Sequence, residues 1–161
     1  DVVGISTSGE CIKQAKLNYP NVDFEVGNME TYIDKDITHF LCLESLHYSD
    51  IKKTFKNVYD NLLSGGIFYM KEWYKHHDEI DVEKENRKHW EHYFKYKGYT
   101  IPNVIQLAYD EGFVLSSAAD ITGKMNNDMY DKASKYHKAR FTLPYDDVNF
   151  IFPAELMFIK K

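Results

Sequence analysis

Short apolar runs alternate with amphipathic stretches over the first 70 residues, a pattern that predicts strands followed by helices. Val2–Ile5 reads as a strand. Ser8 is placed to cap a helix with Glu10 in its first turn, and Ile12, Ala15, Lys16 and Tyr19 recur at helical spacing up to Pro20. Val22–Val26 alternates apolar and polar residues, a short strand that stops at Gly27-Asn28. Residues 29–36 form a polar connection or a single helical turn. Thr38–Leu43, with little polar interruption, predicts a central strand. Ile51, Phe55, Val58, Tyr59, Leu62 and Leu63 make an amphipathic stripe that ends at Gly65-Gly66, a pair able to take positive φ. Ile67–Met70 then reads as a strand buried on both faces, and Lys71, Glu72, Trp73 and Tyr74 follow where it leaves the sheet.

The second half is more polar. Residues 75–97 carry dense charge, aromatics and four histidines, and predict one or two helices with a solvated face. Pro102 starts a helix with Val104, Ile105, Leu107, Ala108 and Tyr109 apolar, ending at Glu111-Gly112. Phe113–Ser117 reads as a strand, residues 123–142 as polar and helical around Met129–His137, and Phe150–Ile159 as a closing strand. Pro153 argues for an edge position or a bulge in that last strand. Strands alternating with helices at these spacings define an α/β chain. The expected architecture is doubly wound and Rossmann-like, with a mostly parallel sheet and helices on both faces.

Length fits one domain, residues 1–161. The net charge of −5 provides no field toward nucleic acid or anionic membranes, so neither is an expected partner. No apolar stretch is long enough for a transmembrane segment. Cys11 and Cys42 read as reduced thiols, which with the lack of a signal-peptide pattern points to a cytoplasmic protein. Opening on Asp1-Val2-Val3 inside a strand-like run, without Met, leads to the expectation of an N-terminally incomplete domain.

In a doubly wound sheet ligands bind beyond the carboxyl ends of the strands. Four such ends supply Ser6-Thr7-Ser8, Gly27-Asn28-Met29-Glu30, Leu43-Glu44-Ser45-Leu46-His47-Tyr48 and Lys71-Glu72-Trp73. Together they offer hydroxyls, an amide, an apolar platform and carboxylates on one rim, a set suited to a nucleoside-bearing ligand.

The motifs Val3-Gly4-Ile5-Ser6-Thr7-Ser8, Val26-Gly27-Asn28-Met29, Phe40-Leu41-Cys42-Leu43-Glu44-Ser45 and Leu63-Ser64-Gly65-Gly66-Ile67 resemble, in order and spacing, consecutive motifs of class I S-adenosylmethionine-dependent methyltransferases. Glu111-Gly112-Phe113 and the last strand are similar to the tail of the same fold, whose final strand is antiparallel. Gly4-Ile5 with Ser8 is similar to the small-molecule and lipid C-methyltransferase branch, of sterol, tocopherol, cyclopropane-fatty-acid and prenyl-diphosphate types. Glu44-Ser45 with Tyr48 and Asp50 resembles the prenyl-diphosphate pattern, while His47 is similar to a His of the sterol and tocopherol enzymes. Two departures stand out. Ser6 occupies the position where many class I enzymes hold the cofactor ribose with an acid, as a hydroxyl residue often does in the lipid-modifying branch. The family's first strand and Gly-rich turn have no counterpart in this chain, and in the family's sheet that strand lies between those at 2–5 and 38–43.

The resemblance implies S-adenosylmethionine as cofactor and methyl transfer to a small-molecule or lipid-like acceptor. It places Ser6 and Thr7 at the ribose and adenine, Asn28 and Met29 at the adenine, and Leu43 and Glu44 on the cofactor side. Glu44, His47 and Tyr48 become the catalytic candidates, through charge stabilisation, proton removal and a cation–π wall. Glu72, Trp73 and Tyr74 are the acceptor candidates, with residues 75–100 and 123–145 as acceptor-lid insertions. Each has a plainer reading beside it: helix capping for Ser6 and Thr7, a strand-ending turn for Asn28, a salt bridge to Lys52 or Lys53 for Glu44, core packing for Trp73. His76-His77 and His89-x-x-His92 lack a carboxylate or Cys at ligand spacing, so no metal is expected. The alternative function is a truncated or degenerate methyltransferase-fold module acting in protein interaction, with a partner chain or an upstream segment completing the sheet. A nucleotide-dependent reductase is disfavoured because no Gly-x-Gly-x-x-Gly occurs.

Overall fold

The computed structural model describes residues 1–76, 98–121 and 151–161. Strand β1 (Val3–Ser6), helix α1 (Gly9–Asn18) and strand β2 (Asp23–Val26) form a parallel β–α–β unit, in which Ser8 Oγ accepts from Cys11 N–H to cap α1. Strand β3 (Ile37–Leu43), helix α2 (Ile51–Asn61) and strand β4 (Leu62–Lys75) form a second parallel unit. Helix α3 (Ile101–Asp110), strand β5 (Phe113–Asp120) and strand β6 (Ile151–Lys160) complete the described elements. The strands form a two-stranded sheet, β1-β2, and a four-stranded sheet ordered β3-β4-β6-β5. β6 runs antiparallel to both β4 and β5, so the other three strands of that sheet share one direction. The expected α/β, Rossmann-like architecture with an antiparallel last strand is the one observed.

Several boundaries differ from the sequence reading, each for a tertiary reason. β3 is not central among the described residues: it pairs only with β4 and ends its sheet, leaving Leu41 and Leu43 exposed. β1 and β3 do not pair with each other. β4 does not stop at Met70 but runs to Lys75, because β6 supplies a ladder from Ile67↔Ile159 to Lys75↔Ile151. β6 is an inner strand despite Pro153, which the sequence had pointed to an edge. The β5 pairing ends at Asp120↔Ala154, so Pro153 lies opposite Trp73 of β4 and beyond the end of β5, locally an edge. Of the Gly pair, only Gly65 takes positive φ, at 77°; Gly66 is buried, and a Cβ there would meet Leu63 O at 2.8 Å.

The core lies on one face of the four-stranded sheet. α2 buries Ile51, Thr54, Phe55, Val58 and Asn61, one stripe at helical spacing, and α3 adds Val104 and Ala108. Phe68, Met70, Leu156 and Phe158 rise from the sheet to meet them, and Phe55 packs edge-on against Phe68, Phe113 and Phe158 at centroid distances of 5.2, 6.0 and 5.9 Å. Lys160 Nζ, at the end of β6, donates to Tyr59 O and Leu62 O at 2.5 and 2.6 Å and closes the carbonyl end of α2.

Two asparagines of α2 bind the connection after β2 onto this layer. Asn57 Nδ2 donates to Met29 O and Tyr32 O at 3.1 and 2.8 Å, while Asn61 Oδ1 accepts from Asp34 N–H at 3.0 Å. Glu30 Oε1 accepts from Asp50 N–H at 2.8 Å, and Asp50 in turn caps α2. These bonds set the rim of the two-stranded sheet against the rim of the four-stranded one.

Candidate functional site

The carboxyl ends of β1, β2, β3 and β4 carry the residues singled out from the sequence. At β1, Ser6 is half-buried and its Oγ accepts from Ser8 N–H at 3.2 Å; Thr7 is exposed. At β2, Asn28 Oδ1 accepts from Glu30 N–H at 2.9 Å, a local turn that the plainer sequence reading anticipates, and its side chain stands in solvent. Met29 packs its side chain against the main core.

β3 ends in a tightly held turn. Cys42 is buried, Leu43 is exposed, and Glu44 adopts φ of 54°. A left-handed conformation at a residue other than Gly or Asn costs on the order of 1–2 kcal/mol, so the surrounding structure must hold it. Glu44 N–H donates to Lys71 O at 2.8 Å, and its Oε1 meets Lys71 Nζ at 2.9 Å. The ion pair of Glu44 is therefore with Lys71 of the neighbouring strand, not with Lys52 or Lys53, and sequence spacing had not linked the two. Leu46–Tyr48 follows as a single 3-10 turn, with Tyr48 N–H donating to Ser45 O and Ser49 Oγ donating to Leu46 O. Tyr48 is exposed. His47 sits in the same turn, between Leu46 and Tyr48.

At β4 strand parity divides the acceptor candidates. Met70, Glu72 and Tyr74 face the core; Lys71 and Trp73 face the other side of the sheet and are half-buried. Glu72, only 2% exposed, accepts from Leu46 N–H through Oε1 at 2.7 Å. Beside it, Cys42 Sγ lies 3.4 Å from Ser45 Oγ, and burial pushes the Cys42 thiol up to about 11, with the Ser45 hydroxyl opposing and Glu72 reinforcing the rise. On the opposite face burial, together with a hydrogen bond to Glu155, pushes the Tyr69 hydroxyl up to about 12.

Among the described residues no three His, Cys, Asp or Glu side chains gather as a metal site; His77, His89 and His92, and most of the two lid segments, lie outside them. The residues present fit an S-adenosyl group in part. Hydroxyls at Ser6 and Thr7 and the Asn28 amide stand at the ends of the paired strands β1 and β2, while the apolar Leu43 and the Glu44 carboxylate, 40% exposed, stand at the end of β3 in the other sheet.

The fold so assembled is Rossmann-like and is shared with solved structures of methyltransferases. Residues 1–70 match the family model of the methyltransferase domain. Geranyl diphosphate C-methyltransferase from Streptomyces coelicolor A3(2), solved with Mg2+, geranyl diphosphate and S-adenosyl-L-homocysteine, superposes with a TM-score of 0.76 at 17% identity, over 99% of this chain and 62% of that one. A sarcosine dimethylglycine methyltransferase structure from Galdieria sulphuraria gives 0.72 at 12% identity, over 100% and 70%. The [4+2]-cyclase SpnF gives 0.72 at 15% identity, over 99% and 66%. The chain thus spans about two-thirds of the length of these structures. No curated protein matches it in sequence.

Proposed function

We propose that the protein transfers the methyl group of S-adenosylmethionine to a small-molecule or lipid-like acceptor. The observation that carries this reading is the turn after β3, where a half-exposed carboxylate, Glu44, is held in a left-handed conformation at the carboxyl end of the strand. The match of residues 1–70 to the methyltransferase domain and the likeness to enzymes solved with S-adenosylmethionine or S-adenosylhomocysteine support it.

Ser6 and Thr7 bind the ribose hydroxyls, Asn28 and Met29 border the adenine, and Leu43 covers the nucleoside. The bound cofactor supplies an electrophilic methyl on a sulfonium. Glu44 stabilises the positive charge near the reacting centre or takes the proton released when carbon is methylated, and His47 is placed in the same turn as a second base. The exposed ring of Tyr48 offers a face to cationic character in the acceptor, and Trp73, on the Lys71 face of β4, borders the acceptor side. Orientation of the acceptor for in-line displacement supplies most of the rate.

A second reading is a methyltransferase-fold module that binds a partner without catalysis. The exposed Leu41 and Leu43 on the end strand β3 favour it, and the cyclase on the same fold shows that the fold alone does not fix the reaction. Calorimetric titration with S-adenosylmethionine and S-adenosylhomocysteine separates the two. Saturable binding by the protein, or by its full-length gene product where that is longer, is the expected result. Absence of binding by the full-length product would overturn the methyltransferase reading.

A further inference from the structure

We propose that Glu72 is the positioning residue of the candidate site: the adjacent residues Lys71 and Glu72 clip the turn after β3 from opposite faces of the sheet and hold Glu44 in its left-handed conformation. The assignment of Glu44 as the reacting carboxylate rests on the reading above; the clip itself does not.

The geometry comes from the alternation of β4. Neighbouring residues of a strand point to opposite faces, so Lys71 reaches the turn from the open face and Glu72 from the core face. Lys71 engages Glu44 twice, through its carbonyl to the Glu44 N–H at 2.8 Å and through Nζ to Oε1 at 2.9 Å. Glu72 takes the N–H of Leu46, two residues further along, at 2.7 Å. That N–H belongs to the start of the 3-10 turn and has no helical carbonyl before it to bond. Leu46 and Glu72 are each 2% exposed, so water does not compete for the bond. Between the two anchors sit Glu44, at φ of 54°, and Ser45, whose hydroxyl touches Cys42. Without the core-side anchor the turn is free to relax toward right-handed φ, and Glu44 then leaves Lys71. Glu72 is too buried to meet an acceptor; its role is to fix the carboxylate that does.

Cys42 is a built-in reporter, because it is buried under this turn and in contact with Ser45. In a Cys11→Ser background it is the sole thiol. Glu72→Ala removes the acceptor and the charge, whereas Glu72→Gln removes the charge and keeps an acceptor oxygen for Leu46 N–H. Any change in Cys42 labelling that comes only from the lost charge is therefore common to both. The expected result is labelling of Cys42 by a thiol reagent at pH 8 at least tenfold faster in Glu72→Ala than in Glu72→Gln. Val104→Ala, a core truncation away from the turn, sets the rate that lost stability alone produces, and Glu72→Ala exceeds it. In the active protein Glu72→Ala lowers kcat at least tenfold with KM for the cofactor changed less than threefold, and Glu72→Gln restores most of the rate. Equal labelling of the two Glu72 variants, equal labelling of Glu72→Ala and a Val104→Ala protein of matched stability, or equal kcat in the two Glu72 variants overturns the assignment. If the labelling difference stands and the wild-type protein transfers no methyl group, the clip holds and it is the methyl-transfer reading that fails.

Discussion

The thiol of Cys42 ties the chemistry of the turn to the stability of the chain. Its pKa is raised to about 11 from an ordinary value of 9.0, mainly by burial. A raised folded-state value means that the thiol's contribution is present in full below about pH 9 and is lost as pH climbs toward 11. Unfolding midpoints in urea should therefore fall between pH 9 and 11, and Cys42→Ala should flatten that part of the profile. Glu44→Gln keeps the shape of the turn residue while removing its charge and its ability to take a proton. It should lower methyl transfer by roughly 10²–10³-fold with little change in cofactor affinity, as measured by steady-state kinetics and calorimetry. At this scale the sequence pointed to polar residues at strand ends as candidates. It was silent on their partners: Glu44 and Lys71 are far apart in the chain and meet because β3 and β4 pair in register.

Among the elements, α2 carries the organisation of the rim. Its apolar stripe binds it to the sheet, and its two asparagines hold the chain after β2. Asn61 is buried, with Oδ1 on Asp34 N–H and Nδ2 on Asn57 O. Asn61→Ala leaves these groups without that partner and should cost about 1–3 kcal/mol in chemical denaturation. Lys160→Met keeps the aliphatic stem but removes the bonds to Tyr59 O and Leu62 O, and should cost about 1–2 kcal/mol by the same measurement. Ser8 caps α1 as its place in the sequence suggests, and Asp50 and Thr100 cap α2 and α3 through bonds of the same local kind. The end of β4 was not legible, since its length depends on the residues of β6 that lie across from it.

At the scale of the whole molecule, burial among the described residues is one-sided. Phe68 and Phe158 are fully buried on the α2–α3 face, while Leu41 on the other face of β3 is 62% exposed. Phe158→Ala should accordingly cost about 3–5 kcal/mol, and Leu41→Thr should stay within roughly 0.5 kcal/mol, both read from urea midpoints. Among the described residues no helix is long and apolar enough to cross a membrane.

What the amino-acid sequence determined by itself follows from local physics. Period-two and helical spacing set the order of the elements, and Ser, Asp and Thr mark helix starts through bonds within a few residues. The positive φ of Gly65 is likewise a local property, but the Gly pair is not the helix stop that the sequence suggests: α2 ends at Asn61 and the pair lies within β4. The register of β3 on β4 and of β6 on β4 required the tertiary structure. So did the separation of Glu72 and Tyr74 from Trp73, because that division appears only once β4 is known to continue as a strand past Met70 with one face against the helices. The left-handed Glu44 has the same origin. Lys71 and Glu72, neighbours on β4 and distant in sequence from the turn, reach it from opposite faces of the sheet.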